Sequence, residues 1–87
     1  MNVNMCKDYV ILSLLDRKRH KGMDLDELFD ASIGYKNVFN NEREVYKVFL
    51  MNISLGLIVF NTTNNKVLIT SDGILQLKKI RSSFRWK

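Results

Sequence analysis

Residues able to hold a polyanion gather in two stretches of this sequence. In the first, Asn40 and Asn41 precede Arg43, Tyr46 and Lys47, and Lys36 lies just upstream. Arginine and lysine donate to guanine edges or to phosphates, and asparagine pairs with adenine in the major groove. If the chain after Asn41 is helical, Arg43 and Lys47 stand one turn apart on one face, with Tyr46 and Leu50 beside them. In the second stretch, Thr62, Thr63, Asn64, Asn65 and Lys66 offer hydroxyls, amides and one ammonium, suited to phosphate or minor-groove contact. Each stretch also has a plainer reading, as a solvated helix face and as an ordinary polar hairpin tip. Glu42 and Glu44 oppose the DNA reading, because they repel phosphate unless turned away or used for capping.

Catalytic chemistry finds fewer footholds. One His and one Cys, His20 and Cys6, are separated by about a helix length, so neither a metal cluster nor a Cys–His nucleophile is expected. The acids Asp24, Asp26, Glu27 and Asp30 could form carboxylate pairs for acid–base work. At a helix start, however, negative charge simply complements the dipole. No glycine-rich phosphate loop is present. The chain is expected to be neither an enzyme nor a binder of cofactor or metal.

The elements that must position these residues follow from periodicity. Tyr9, Leu12 and Leu15, widened by Ile11 and Leu14, predict a first helix over 5–19, whose last turn would hold Arg17, Lys18 and Arg19 against the negative end of the dipole; the cluster Arg17, Lys18, Arg19 and Lys21 either completes this helix or faces DNA. Gly22 then stops it, and Met23 sits in a small strand. Asp24, three residues before Glu27, has capping-box spacing and opens a second helix over 25–32, ending near Gly34. A loop, GYKNVFNN, follows. Asn41, three residues before Glu44, opens a third helix over 42–54 with Val45, Phe49 and Ile53, and with them Val48, facing inward. Two apolar runs, LGLIVF and KVLIT, flank an Asn- and Thr-rich turn and predict a β-hairpin. TSDG opens a fourth helix over 72–82, with Ile74, Leu77 and Ile80 on one side and Lys78, Lys79 and Arg81 on the other.

Size and charge bound the result. Eighty-seven residues make a single domain, 1–87, with one modest core. The longest apolar stretch, Val48 to Phe60, is interrupted by Asn52, Ser54 and Gly56 and is too short for a membrane span. Met1 to Lys7 lack the pattern of a secretory signal. The lone Cys6 fits a reducing compartment, so a cytoplasmic location is expected, nucleoid-associated if DNA is bound. The net charge of +5 is uneven: residues 1–45 carry seven Lys or Arg against eight acids, while 46–87 carry seven against Asp72 alone. Such asymmetry suggests one side that meets a polyanion.

The predicted order, helix, short strand, helix, helix, hairpin, helix, is an α+β, mainly α, winged helix-turn-helix. The run ISLGLIVFNTTNNKVLITSDGILQL, Ile53 to Leu77, resembles the recognition-helix exit, wing and closing helix of small winged-helix regulators of the MarR and PadR kind. The matching steps are Gly56, Leu57 and Ile58, then Ile69, Thr70 and Gly73. Physically, Gly56 can take the positive φ that leaves a helix, Thr70 or Ser71 can cap the last helix, and Gly73 lets that helix approach the sheet. The resemblance implies a double-stranded DNA-binding regulator with its recognition helix in the major groove. It also implies dimerisation through terminal helices, for which the tail 82–87 is the candidate contact, its Phe84 and Trp86 either meeting a partner subunit or packing on the domain's own core. A second class stays open: a winged-helix protein-interaction module, such as a phage or plasmid accessory protein that occupies a host factor. The acidic second helix motivates it.

Overall fold

A computed structural model describes residues 3–35 and 37–83. Four helices and three short strands follow in the order α1 (Val3–Asp16), β1 (Met23–Asp24), α2 (Leu25–Ile33), α3 (Glu42–Ser54), β2 (Ile58–Asn61), β3 (Lys66–Ile69) and α4 (Ser71–Ser83). The result is a small α+β structure, mainly helical, whose element order is compatible with a winged helix.

Helix α1 is the centre of the packing. Val10, Ile11, Leu12, Leu14 and Leu15 are all buried, so its second half is apolar nearly all round and must be covered on every side. Helices α2, α3 and α4 and strand β3 provide that cover. The predicted end of this helix was too late. It stops at Asp16, and Arg17, Lys18 and Arg19 form a turn instead of a last helical turn. The Lys18 amide reaches back only three residues, to Leu15 O at 3.1 Å. The Arg19 guanidinium folds onto Asp16 Oδ1, with Nε at 2.9 Å and Nη2 at 2.6 Å.

The sheet is antiparallel with order β1-β3-β2, in the register Met23↔Val67 and Ile58↔Ile69. Those four residues are buried, while Val59 faces out, the period-2 pattern of a sheet with one covered face. The hairpin turn is built by its own asparagines. Asn61 Oδ1 accepts from the Thr63 amide at 2.9 Å, Asn64 Oδ1 accepts from the Lys66 amide at 3.1 Å, and Asn65 takes a left-handed φ of 59°.

Of the two expected helix caps, the one at Asn41 is made, and the capping box at Asp24 is absent. Asn41 Oδ1 accepts from the Glu44 amide at 3.0 Å, but the Glu44 carboxylate returns to Asn40, not to Asn41. Asp24 makes no side-chain cap, because pairing of Asp24 with Lys66 across the sheet turns its carboxylate toward the Lys66 ammonium, 3.1 Å away. Glu27 instead meets Lys18 at 2.8 Å.

Helix α3 is fixed at its far end by a Schellman arrangement. The Gly56 amide donates to Ile53 O and the Leu57 amide to Asn52 O, with Gly56 at φ +76°. Thr70 ties this exit to α4. Its amide donates to Leu57 O at 3.0 Å, its hydroxyl donates to Gly56 O at 2.7 Å, and the same oxygen accepts from the Gly73 amide at 3.0 Å. Gly73 itself leaves no room: a Cβ there would run into the Leu57 carbonyl oxygen and stand 2.7 Å from Ile69 Cγ1.

One polar residue joins α3 to α1 in the core. Asn52, fully buried, donates from Nδ2 to Val48 O at 2.8 Å and to Asp8 Oδ1 at 3.2 Å, while its Oδ1 has no partner among the described residues. Burial pushes the Asp8 carboxyl above its usual value, and the hydrogen bond from Asn52 opposes that only in part.

These contacts give two expectations. Gly73→Ala should lower stability by about 3 kcal/mol, since the new methyl meets backbone that cannot yield. Gly56→Ala, with nothing within 4 Å of the new methyl, should lose only about 1 kcal/mol of backbone strain. Equal losses in urea denaturation would contradict the close approach at Gly73. Asp8→Asn supplies an amide that can both accept from Asn52 and donate to its orphaned oxygen, so it should raise stability by about 1 kcal/mol at pH 7. An acid with a raised folded pKa contributes stability below its ordinary value of 3.8 and loses it as pH rises through the folded value. The advantage of Asp8→Asn should therefore shrink toward pH 4. A variant weaker than the parent at pH 7 would refute this account of the pair.

Candidate nucleic-acid interface

The 13 residues of α3 form a rod about 20 Å long, with Val45, Phe49 and Asn52 turned inward. Residues 43, 47, 50 and 54, at spacings of four, three and four, therefore lie along the opposite side. Arg43, Lys47, Leu50 and Ser54 are all exposed, and the side chains of Arg43 and Lys47 form no hydrogen bond or ion pair among the described residues. The N-terminal half of this face is cationic. The C-terminal half pairs Leu50, at 44% exposure, with the hydroxyl of Ser54, and is bordered by apolar Met51 at 57% and, just past the helix, Leu55 at 60%.

Tyr46 is anchored, not free. Its ring stacks 6.3 Å from Phe49 and lies 6.2 Å from Phe29 of α2, so only about half of it reaches solvent. Phe49 in turn meets Phe60 edge-on at 6.0 Å, which seats β2 against α3. This aromatic row fixes the α3 axis relative to the hairpin.

The two flanks of α3 differ in charge. On the α1 side, Lys7, Asp8, Glu44, Lys47, Val48 and Met51 line a groove of about 400 Å³. Lys7 approaches Glu44 to 3.5 Å. Glu44 also accepts from the Asn40 amide at 3.0 Å and from Asn40 Nδ2 at 3.2 Å. These contacts, the Asn40 amide foremost, hold the Glu44 carboxyl below the usual range. Its charge is thus engaged at the helix start. On the α2 side, Asp26, Asp30 and Glu42 surround Leu25, Phe29 and Tyr46. Those three acids form no ion pair among the described residues. Arg43 and Lys47 are therefore flanked on the α2 side by carboxylates without ion-pair partners among the described residues, and on the α1 side by a carboxylate that is already engaged.

The structure distributes the other expected contacts unevenly. Asn40 and Asn41 stand at the tip of α3, but their side chains are engaged with Glu44. Thr62 and Thr63 are exposed on the hairpin turn. Asn64 is occupied by the turn itself, and Lys66 by Asp24. Asn65 shares a depression of about 730 Å³ with Asp24, Asp26, Glu27 and Asp30, so one flank of the hairpin is acidic. Lys36, Phe84 and Trp86 lie outside the described residues. Lys7 was missed, since nothing local in the sequence signals that it faces Glu44 across two helices. In sequence Asn52 looks like a break in an apolar run, yet the spacing 45, 49, 52 puts it on the inner face, where it is buried.

For other chemistry, the described residues include no group of three or more His, Cys, Asp and Glu side chains placed to hold a metal ion. No helix among them is long and apolar enough to cross a membrane. No protein-family model matches the chain, and neither a curated protein nor a solved structure matches it.

Proposed function

We propose that this chain is a small winged-helix DNA-binding regulator, of the MarR and PadR kind, in which α3 enters the major groove of double-stranded DNA and the 61–66 hairpin rests on the backbone. One observation carries the reading: among the described residues nothing covers the outer side of α3, and the side chains of Arg43 and Lys47, one turn apart, have no partner there. A helix of this size fits the groove, and unpaired Arg and Lys are the donors that guanine and phosphate accept. The exposed Thr62 and Thr63 support backbone contact by the hairpin. The junction of Gly56, Thr70 and Gly73 supports the winged-helix assignment. DNA binding would place the protein in the cytoplasm, and a dimer through the chain termini would match a two-fold operator.

A second reading has its own support. Leu50, Met51 and Leu55 extend the α3 face with apolar surface, and the α2 flank is acidic, both better suited to a protein partner than to phosphate. Under that reading no duplex would be retained at low salt.

The double substitution Arg43→Ala and Lys47→Ala separates the two. If α3 holds DNA, duplex affinity should fall about 10- to 100-fold, and the slope of log affinity against log salt should become shallower by roughly 1.8, two phosphates' worth. Affinity and slope equal to those of the parent chain would take α3 out of the interface.

A further inference from the structure

A second concentration of positive charge lies away from α3. Five consecutive residues, Arg17 to Lys21, are Arg, Lys or His, and with Asp16, Gly22 and Lys66 they line an open depression of about 720 Å³. The turn is held in shape: the Gly22 amide donates to Lys18 O at 2.8 Å, and Arg19 grips Asp16 through two nitrogens. It runs directly into β1, one edge of the sheet, whereas α3 packs against β2 at the other edge.

Local acids answer some of this charge but not all of it. Arg19 meets Asp16, Lys18 meets Glu27, and Lys66 meets Asp24. The side chains of Arg17 and Lys21, both exposed, form no hydrogen bond or ion pair among the described residues, although the Arg17 amide still donates to Ser13 O at 3.3 Å. One or two cations would suffice to complement the C-terminal dipole of α1, so the dipole does not account for the run. The pairs made by Lys18 and Lys66 are solvent-exposed and therefore weak, which leaves both ammonium groups free to be drawn to a stronger anion without loss of the fold.

We propose that the 17–21 turn, together with Lys66, is a second nucleic-acid contact that takes phosphodiester groups through Arg17 and Lys21, with Lys18 and Lys66 recruited to the same backbone. Arginine matches phosphate in a bidentate fork and lysine meets it as a point charge, and such contacts hold a backbone in place without reading its sequence. The ligand class rests on the proposed function, but the surface does not depend on α3.

The test compares three double variants of the whole chain on a labelled 24-base-pair duplex of arbitrary sequence, over about 25 to 200 mM salt. Arg17→Ala with Lys21→Ala should weaken binding about 5- to 20-fold at low salt and make the salt slope shallower by roughly 1.8. Lys78→Ala with Lys79→Ala removes two exposed cations from α4 and should match the parent chain. An equal loss in both pairs would show a mere net-charge effect and overturn the proposal, as would parental affinity and slope in the Arg17, Lys21 variant. Loss confined to the Arg43, Lys47 variant would overturn the second contact and keep the proposed function. Loss confined to the Arg17, Lys21 variant would do the reverse. No retention of the duplex by the parent chain would reject both.

Discussion

Helix α3 can hand the chain to a strand and still be closed off by another helix only because three backbone groups meet around one threonine. The Thr70 amide and hydroxyl bond to Leu57 O and Gly56 O, and the Thr70 oxygen then receives the Gly73 amide. The last turn of α3, the start of β2 and the first turn of α4 are thereby fixed to one point. Gly56 makes the reversal with a left-handed φ, and Gly73 makes the contact close enough by lacking a side chain. Loosening this junction would let α3 rotate about the aromatic row formed with Phe49 and Phe60, and the direction of its outer side would be lost.

Much of this was legible in the sequence, and the reasons differ from residue to residue. Helix α3 begins and ends where Asn41, the 45 and 49 apolar spacing and Gly56 put it, because local capping and periodicity agree there. The role of Gly73 is readable because glycine at a strand-to-helix step has one dominant physical use, whereas the cap is left between Thr70 and Ser71 until the structure shows the Gly73 amide on Thr70. The end of α1 is hard to read because Arg17, Lys18 and Arg19 are good helix formers, and nothing in their types reveals that Arg19 folds back onto Asp16 three residues earlier. Asp24 was misjudged for a related reason: its cross-strand partner Lys66 lies 42 positions away, beyond what local spacing can reveal. Asn52 shows that an inward polar residue looks, in one dimension, like an interruption.

Charge is the least legible layer. By sequence, the second half of the chain is basic and the first half balanced, yet in three dimensions Lys66 is held by Asp24 and Lys7 by Glu44. The cations left without partners among the described residues include Arg43 and Lys47 on one face and Arg17 and Lys21 near the opposite sheet edge, with acids of α2 between hairpin and helix. A formal net charge of +5 thus conceals a patterned surface, in which flank matters more than total.

Helix α3 is clamped near both ends, by Asn40 and Glu44 at its start, by Asp8 through Asn52 in its last turn, and by the Thr70 junction just beyond. Positions 43, 47, 50 and 54 belong to none of these clamps. Selection could therefore rewrite that row of four side chains, and with it the preferred target, while folding stability stays almost untouched. The rod would also arrive at a partner already ordered, so little conformational entropy would remain to be surrendered on association.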